Sequence, residues 1–322
     1  VEELITRLAG LAGVDGARSE VQRDEAERRF AEFIRLELGP KSIWTLTVSD
    51  PETNVERVEP LQGTSVDAVG TLERARRSAP YWGERQALPS WSEEHSMLRL
   101  ATFGTPERGA YLDAIENLAT EFKSVDHLAI DLRGNEGGDR SLGIAVARHL
   151  LGQPFRQWTS VRTRVREIDD PFDEWVSFPF GSATALTEFP GDEVEDGWVV
   201  QGDPLSQMMV PHDGEFPGRI TLLVDDATNS AAVEFAVSLL AHHPRVTVVG
   251  RETQGECAWH VGQLPVLFQD DQGPAMIASL FEIELVAYAG CRERRGIEPN
   301  IPVAYDESDF AEGIDPYLRA IQ

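Results

Sequence analysis

The chain contains two stretches in which a short apolar strand runs into a turn and then into a helix. In the first, residues 128–132 (LAIDL) precede the glycine-rich turn RGNEGG at residues 133–138, and apolar residues at helical spacing follow. In the second, residues 220–224 (ITLLV) precede a short turn, and Ser230 begins the next helix. Another apolar strand, at residues 246–249, follows that helix, which is typical of a parallel crossover. The sequence therefore predicts an α/β fold with parallel strands.

The chain is strongly acidic. Asp and Glu outnumber Lys and Arg 55 to 29, which gives a formal net charge of −26 over 322 residues. Such a surface repels phosphate backbones and anionic lipid head groups, and this argues against nucleic acid as a partner. No apolar run approaches the roughly 18 residues that a membrane-spanning helix requires. We interpret the acidic excess as a solvating or salt-adapted surface.

The patterning divides the chain into two regions. Residues 1–94 carry helical periodicity up to residue 40 and then short-strand and turn signals. Residues 95–322 carry the α/β pattern. Within the second region, residues 156–218 form an acidic segment that is rich in Pro and Gly and contains several aromatic residues. We interpret this insertion either as a lid or binding loop or as a solvated excursion with its own small cluster.

The chain offers limited signals about its cellular location. It begins at Val1, without an initiator Met or a leader sequence, as a mature exported protein, a cleaved fragment or a trimmed chain would. Its two cysteines, Cys257 and Cys291, are too few for a disulfide framework or a zinc cluster, although one bridge between them is possible. We favour an extracytoplasmic location, with a leader removed, over a cytoplasmic one.

Two motifs at the strand-to-helix junctions have both structural and chemical interpretations. Gly137 and Gly138 can serve as a tight connection, or their N–H groups at a helix N-terminus can bind an anion such as a tetrahedral oxyanion. Ser230 can be a helix N-cap, but Val233 stands where a capping box has Glu or Gln. Its hydroxyl can equally be a nucleophile, with the Ala231 N–H as a second oxyanion donor.

The sequences around these motifs resemble the tail-specific (C-terminal-processing) serine protease family. The resemblance rests on DHLAIDLRGNEGGD at residues 126–139 and TLLVDDATNSAAVEFA at residues 221–236. It is supported by LRLATF, VTVVGRETQGE and RGIEPNIPV, which occur in the family's order between residues 95 and 320. The resemblance implies a ClpP/crotonase-like core with Ser230 as nucleophile. It also implies an oxyanion hole built from the N–H groups of Gly137, Gly138 and Ala231.

The sequence departs from the bacterial processing proteases at several positions. Glu256 stands where those proteases have a general-base lysine, and Val233 stands where a glutamate is usual. Residues 41–95 carry no signature of a PDZ domain. Without the lysine we expect a histidine as base, as in the tricorn-like, PDZ-less branch with its Ser–His–Glu arrangement. Because Glu256 lies in a glycine-flanked turn, we expect its side chain to be exposed.

Two of the seven histidines are candidates for the base. His260, in GECAWHVG, matches a histidine of many PDZ-less members, and His95, upstream of the α/β core, is the alternative. His127 and His149 fall in core-type elements, and we interpret them as packing or surface residues. Glu293, in CRERR, matches the acid of the tricorn-like branch and is otherwise an ordinary charged residue.

The sequence therefore favours a serine endopeptidase-like hydrolase that acts on peptides or proteins through an acyl-enzyme at Ser230. The alternative is a catalytically inactive family member that binds a peptide or an apolar ligand. No metal or cofactor is implied, and an oligomer is possible. A histidine nitrogen beside the Ser230 hydroxyl would discriminate the two hypotheses.

Overall fold

The structure is a computed structural model. It describes residues 43–49, 56–62, 87–166, 176–177, 187, 190–202, 207–212, 214–268, 276–304, 309 and 312–321. The helices predicted within residues 1–40 lie outside these residues. The chain divides into two compact units. The first comprises Val1–Val14 and Arg18–Glu84, and the second comprises Asp15–Ala17 and Arg85–Gln322.

The described part of the first unit is an antiparallel pair of strands, in the region where the sequence carries short-strand and turn signals. Its strands are β1 (Ile43–Ser49) and β2 (Glu56–Gln62), and every residue of β1 pairs with one of β2.

The second unit contains the α/β core and a separate antiparallel sheet. Its strands are β3 (Ser90–Ser92), β4 (Met97–Arg99), β5 (His127–Asp131), β6 (Trp158–Thr163), β7 (Val176–Ser177), β8 (Gly191–Val194), β9 (Gly197–Val200), β10 (Arg219–Val224), β11 (Val246–Gly250), β12 (Trp259–Phe268), β13 (Met276–Leu285) and β14 (Ile301–Pro302). Its helices are α1 (Arg108–Lys123), α2 (Arg140–Leu150), α3 (Ala231–His242) and α4 (Pro316–Ile321).

The core sheet has the strand order β14-β11-β10-β5-β4-β3. All neighbouring pairs are parallel except β3 and β4. β5 and β10 lie in the middle and are buried almost throughout, which explains their uninterrupted apolar sequences. β4 is short, since only Met97–Arg99 of the apolar stretch that ends at Phe103 belongs to it. Phe103 instead forms an isolated parallel bridge with Gly138.

Helices α2 and α3 pack closely against each other over this sheet. A Cβ atom added to Gly143 would lie 3.1 Å from the Cβ of Phe235, so the glycine permits the close approach. α2 begins with a side-chain cap, since Asp139 accepts a hydrogen bond from the Ser141 N–H at 2.9 Å. α3 is buried from Ala231 to Leu239, as its apolar composition requires.

The second sheet has the order β7-β12-β13-β6-β9-β8 and is antiparallel throughout. Four of its strands, β6 to β9, come from the insertion at residues 156–218, so part of that segment is regular sheet. Trp158, at the start of β6, is fully buried. Among the described residues, the structure contains no helix long and apolar enough to cross a membrane.

Candidate functional site

Three loops meet at the carboxyl edge of the core sheet, where its parallel strands end. They are the glycine turn (residues 133–138) after β5, the serine turn (residues 225–230) after β10 and the Gly255 loop (residues 251–258) after β11. The Asn229 N–H donates to the Asn135 carbonyl at 3.0 Å, and the Gln254 N–H donates to the Thr228 carbonyl at 3.0 Å. The first bond holds the glycine turn beside the serine turn, and the second holds the Gly255 loop beside the serine turn. The three loops lie at the edge where open α/β sheets bind ligands.

Ser230 has a strained backbone. Its φ and ψ are 52° and −130°, a conformation that non-glycine residues rarely adopt and that costs on the order of 1–3 kcal/mol. Ser230 stands at the N-cap position of α3, yet its side chain makes no capping hydrogen bond. Its half-buried hydroxyl therefore lies at the positive end of a helix without serving the cap. This arrangement favours the nucleophile interpretation over the capping one.

Gly137 lies directly against Ser230. A Cβ atom at Gly137 would come within 2.6 Å of the Ser230 Cβ and 2.8 Å of the Ala231 nitrogen. Gly255 approaches from the other loop, where a Cβ atom would lie 3.3 Å from the Ser230 nitrogen. Gly137 therefore requires glycine, Gly255 leaves little room for a side chain, and Ser230 is enclosed between two backbones. The structure thus brings together Gly137, Ser230 and Ala231, as the resemblance implied.

The backbone donors of the glycine turn are not equivalent. The Gly137 N–H donates to Oδ1 of Asn135 at 2.9 Å. Gly138 is exposed and forms a parallel bridge with Phe103. The two hydrogen bonds of this bridge run from the Phe103 N–H to the Gly137 carbonyl and from the Asp139 N–H to the Phe103 carbonyl. In such a bridge the Gly138 N–H points away from Phe103. The Ala231 N–H is the first of α3 and has no acceptor within the helix.

Asn135 connects the loops around the site. It is fully buried, and its Nδ2 donates to the Leu100 carbonyl at 2.8 Å while its Oδ1 accepts from Gly137. Its carbonyl accepts from Asn229 in the serine turn. The side chain of Asn135 therefore holds the residue that follows β4 and the glycine turn in place. The Asn135 carbonyl holds the serine turn. Sequence analysis treated RGNEGG only as a glycine motif and did not identify this function of Asn135.

Asp225 also links the glycine and serine turns. Its carboxylate accepts from the Gly134 N–H at 3.1 Å and from the Thr228 hydroxyl at 3.0 Å. Burial, together with the neighbouring Asp226 charge, raises the pKa of Asp225 to about 6, although these hydrogen bonds oppose the shift.

His260 lies against a buried acid that sequence analysis missed. Its Nε2 is 3.4 Å from Oε1 of Glu234, and both side chains are buried. Glu234 begins the second turn of α3, where its N–H donates to the Ser230 carbonyl at 3.1 Å. Residues four apart share one face of a helix, so this contact places His260 beside the helix turn that Ser230 opens.

The Glu234 carboxylate is held from two further sides. Arg140 Nε lies 2.9 and 2.8 Å from its two oxygens, and the Trp158 indole N–H donates to it at 3.2 Å. The Arg140 guanidinium also lies over the Trp158 ring, 4.9 Å from its centre. The charge of Glu234 is therefore compensated and its orientation fixed. A search for an acid at helical spacing from Ser230 would have found it.

The alternative base, His95, lies at the opposite edge of the sheet. It occupies the turn before β4, and Met97 at the start of β4 pairs with Ala129, the middle residue of β5, to which β4 runs parallel. Ser230 follows the far end of β10, and a five-residue strand such as β5 spans about 17 Å. The topology therefore places His95 before β4 and Ser230 after β10, which argues against His95 as the base.

Glu256 and Glu293 differ from each other in exposure. Glu256 is buried, 7% exposed, and its Oε1 accepts from the Arg294 N–H at 2.7 Å. The expectation that Glu256 is exposed was therefore wrong, because its carboxylate is used to hold the turn at residues 292–295. Glu293 is exposed in that same turn. The carboxylate in contact with His260 is that of Glu234.

A disulfide joins the Gly255 loop to this turn. Cys257 and Cys291 are bridged, with their Cα atoms 5.7 Å apart, and Cys257 is fully buried. The Cys257 N–H donates to the Arg295 carbonyl at 2.9 Å. The bridge that the sequence left open therefore exists, and it anchors the chain three residues before His260.

Comparison with known proteins identifies one family. Residues 95–303 match the sequence profile of Peptidase family S41. The comparison with curated proteins finds no match to this chain.

Solved structures show the same fold. Mature CPAF is 18% identical, with a TM-score of 0.55, and the match covers 98% of this chain and 72% of that one. Mature CPAF complexed with lactacystin is also 18% identical, with a TM-score of 0.53 and coverage of 98% and 74%. The predicted α/β class is confirmed. The assignment to the tricorn-like branch stays a prediction.

Proposed function

Because the chain belongs to peptidase family S41 and is a serine peptidase, we propose that it cleaves peptide bonds through an acyl-enzyme formed at Ser230. The observation that carries this assignment is the backbone of Ser230. A strained, uncapped serine at the N-terminus of α3 is enclosed by Gly137 and Gly255, and such strain persists where a side chain must be presented for chemistry.

In the first step, the Ser230 Oγ attacks the carbonyl carbon of the scissile peptide bond while His260 accepts the hydroxyl proton. Because Nε2 of His260 faces Glu234, we assign the proton transfer to Nδ1. The carbonyl oxygen becomes a tetrahedral oxyanion. The N–H groups of Gly138 and Ala231 stabilise it, whereas the Gly137 N–H is already bonded to Asn135.

In the second step, the tetrahedral intermediate collapses and the C–N bond breaks. The imidazolium of His260 gives its proton to the leaving amine, which departs as the new N-terminus of the product. Water then attacks the acyl-enzyme with His260 again as base, which releases the carboxylic acid product and restores the Ser230 hydroxyl. Each step uses the same imidazole alternately as base and as acid.

Glu234 takes the positioning function that the resemblance gave to Glu293. Its negative charge lies 3.4 Å from His260 and favours the imidazolium that forms during the attack. Arg140 fixes the carboxylate and moderates its charge. His260 as base and Glu234 as its partner are supported by this contact and by the helical spacing between Ser230 and Glu234.

Turnover by matched serine variants tests the proposal. Ser230→Ala should abolish hydrolysis of a fluorogenic peptide library. Ser124→Ala, at the exposed end of α1, should retain it, since that hydroxyl only bonds the Glu121 carbonyl. Lactacystin, which is bound in one CPAF structure, is a second probe, because a Ser230-dependent mass increase would show that the same hydroxyl is reactive. A folded wild-type chain that hydrolyses nothing and shows no adduct would instead support the binding-module alternative.

We propose further that the chain acts in an oxidising compartment on a peptide or protein substrate. The Cys257–Cys291 bridge supports this location, since such bridges persist in secreted and periplasmic proteins and are rare in the cytosol. The charge of −26 argues against nucleic acid. Alkylation of the native protein in its source cells followed by mass spectrometry tests the location. Free thiols at both cysteines would contradict it.

A further inference from the structure

A cluster of two histidines and one glutamate lies outside the candidate active site. Glu116 is on α1, His149 is the penultimate residue of α2, and His212 lies in the segment before β10. One ligand atom from each residue lies within 4.8 Å of those from the other two. The glycine turn precedes the N-terminus of α2, so the cluster stands at the other end of that helix, about 15 Å of helix away.

The distances within the cluster suit a small metal ion. Nε2 of His149 is 3.2 Å from Oε1 of Glu116, and Nε2 of His212 is 3.9 Å from the same oxygen. Zinc binds imidazole nitrogen and carboxylate oxygen at about 2.0–2.2 Å, so its ligand atoms in a tetrahedron are about 3.4 Å apart. The two separations from Glu116 bracket this value, and the ligand atoms of the two histidines lie within 4.8 Å of each other, so side-chain adjustment would bring the three atoms onto one ion.

The backbone holds the three elements in place. The His212 N–H donates to the Arg148 carbonyl at 2.8 Å, and Arg148 Nε donates to the Val210 carbonyl at 2.8 Å. The imidazoles of His149 and His212 are stacked, with centres 4.6 Å apart. His212 is therefore fixed beside His149 by its own backbone and does not depend on an ion to place it.

The environment of His149 favours ligation through Nε2. Its side chain is only 4% exposed, and within the described part of the chain its Nδ1 has no hydrogen-bond partner. Its polar contact therefore runs through the nitrogen that faces Glu116.

We propose that Glu116, His149 and His212 form a zinc site that fastens the segment before β10 to helices α1 and α2. Two imidazoles and one carboxylate are a donor set that suits zinc, whereas magnesium and calcium prefer oxygen ligands. Glu116 and His212 are exposed, which gives the ion a path from solvent and leaves a fourth position for water.

Zinc titration of the untagged, metal-free chain tests the proposal. A chromogenic chelator in competition should report one Zn²⁺ bound per wild-type chain, and the melting temperature should rise with zinc concentration. His212→Ala and Glu116→Gln should each lose this binding and the zinc-dependent rise. Both residues are exposed, so these variants are expected to fold. His242→Ala, an exposed histidine at the end of α3, should bind as the wild type does.

Two results would overturn the site. One is wild-type binding no tighter than that of His212→Ala. The other is equal loss of binding in His242→Ala, which would show that zinc associates with surface histidines in general. Peptidase turnover is not the readout, so failure of this site and failure of Ser230 as nucleophile are distinguishable.

Discussion

Nε2 of His260 lies 3.4 Å from Oε1 of Glu234, and Glu234 lies one helical turn beyond Ser230. This pairing links β12 of the antiparallel sheet to α3 of the core. It supplies an imidazole and a buried carboxylate on the face of the helix that begins at the nucleophile candidate. We propose that His260 supplies the base at the site where the resemblance expects a lysine and the sequence has Glu256.

The pH dependence of kcat/KM should identify the acid that acts on His260. In the wild type we expect kcat/KM to rise as the imidazole loses its proton, in the range of about 6 to 7.5. Glu234→Gln removes a negative charge that favours the imidazolium, so the rise should move to lower pH. His260→Ala should lose the rise and most of the activity.

Two carboxylate variants serve as controls for this profile. Glu293→Gln and Glu256→Gln should keep the wild-type profile, because Glu293 is exposed and Glu256 holds the Arg294 backbone. A shifted profile in Glu293→Gln with an unchanged one in Glu234→Gln would reverse the assignment. Melting temperatures are needed alongside, since Glu234→Gln leaves Arg140 without its buried counter-charge.

Gly138→Val should reduce kcat by about 10²–10³, the loss expected when one oxyanion donor is displaced. A Cβ atom at Gly138 would lie 2.3 Å from the Phe103 backbone, and its φ of 133° disfavours any side chain. Gly134→Asn is the matched control in the same turn, because a Cβ there would meet nothing within 4 Å and Asn tolerates the φ of 71° that Gly134 adopts. If activity in both variants falls only in proportion to the folded fraction, the turn has a structural function alone.

Asp225 should make the free energy of unfolding depend on pH. Its pKa is about 6 in the folded chain against 3.8 for the free side chain, so the folded state binds the extra proton between these values. Asp225 therefore makes its full contribution to the free energy of unfolding below about pH 4 and loses it as the pH rises through 6. The free energy of unfolding should fall by roughly 3 kcal/mol over this range.

Asp225→Asn cannot ionise and should flatten this part of the stability profile. Urea denaturation at pH 4.5 and 7.5 measures the difference, with the exposed Asp113→Asn as a control that should keep the wild-type slope. An Asp225→Asn profile as steep as that of the wild type would rule out Asp225 as the source.

Removal of the disulfide should destabilise the chain without changing its fold. The bridge closes a loop with a sequence separation of 34, and Cys257→Ser with Cys291→Ser should lose roughly 3–4 kcal/mol. A reductant should lower the melting temperature of the wild type and leave that of the double variant unchanged. Equal melting temperatures for the two proteins under oxidising conditions would contradict the prediction.

Local sequence motifs predicted the glycine turn and the serine turn, because each follows directly from a short apolar strand and the helix after it. The strands at residues 128–132 and 220–224 are apolar because both faces are covered, and the turns after them reach the same edge of a parallel sheet. The juxtaposition of Gly137 and Ser230 follows from that topology. It is visible in the sequence as two strand–turn–helix units.

The remaining parts of the site depend on long-range packing. Glu234 contacts His260 only because β12 of the second sheet lies beside α3, and no local pattern reports that contact. Glu256 is buried because its carboxylate caps the backbone at Arg294, 38 residues away. The separation of His95 from Ser230 likewise follows from strand direction, since chain order alone cannot show which edge of the sheet a residue occupies.

Labelling by an active-site-directed fluorophosphonate, followed by intact-mass and peptide mapping, tests most directly whether Ser230 is the nucleophile. The wild type should gain one phosphonyl group, and the modified peptide should carry it on Ser230. Ser230→Ala should gain none, and Ser124→Ala should be labelled as the wild type is. Labelling that persists unchanged in folded Ser230→Ala, or that maps to another serine, would contradict the account.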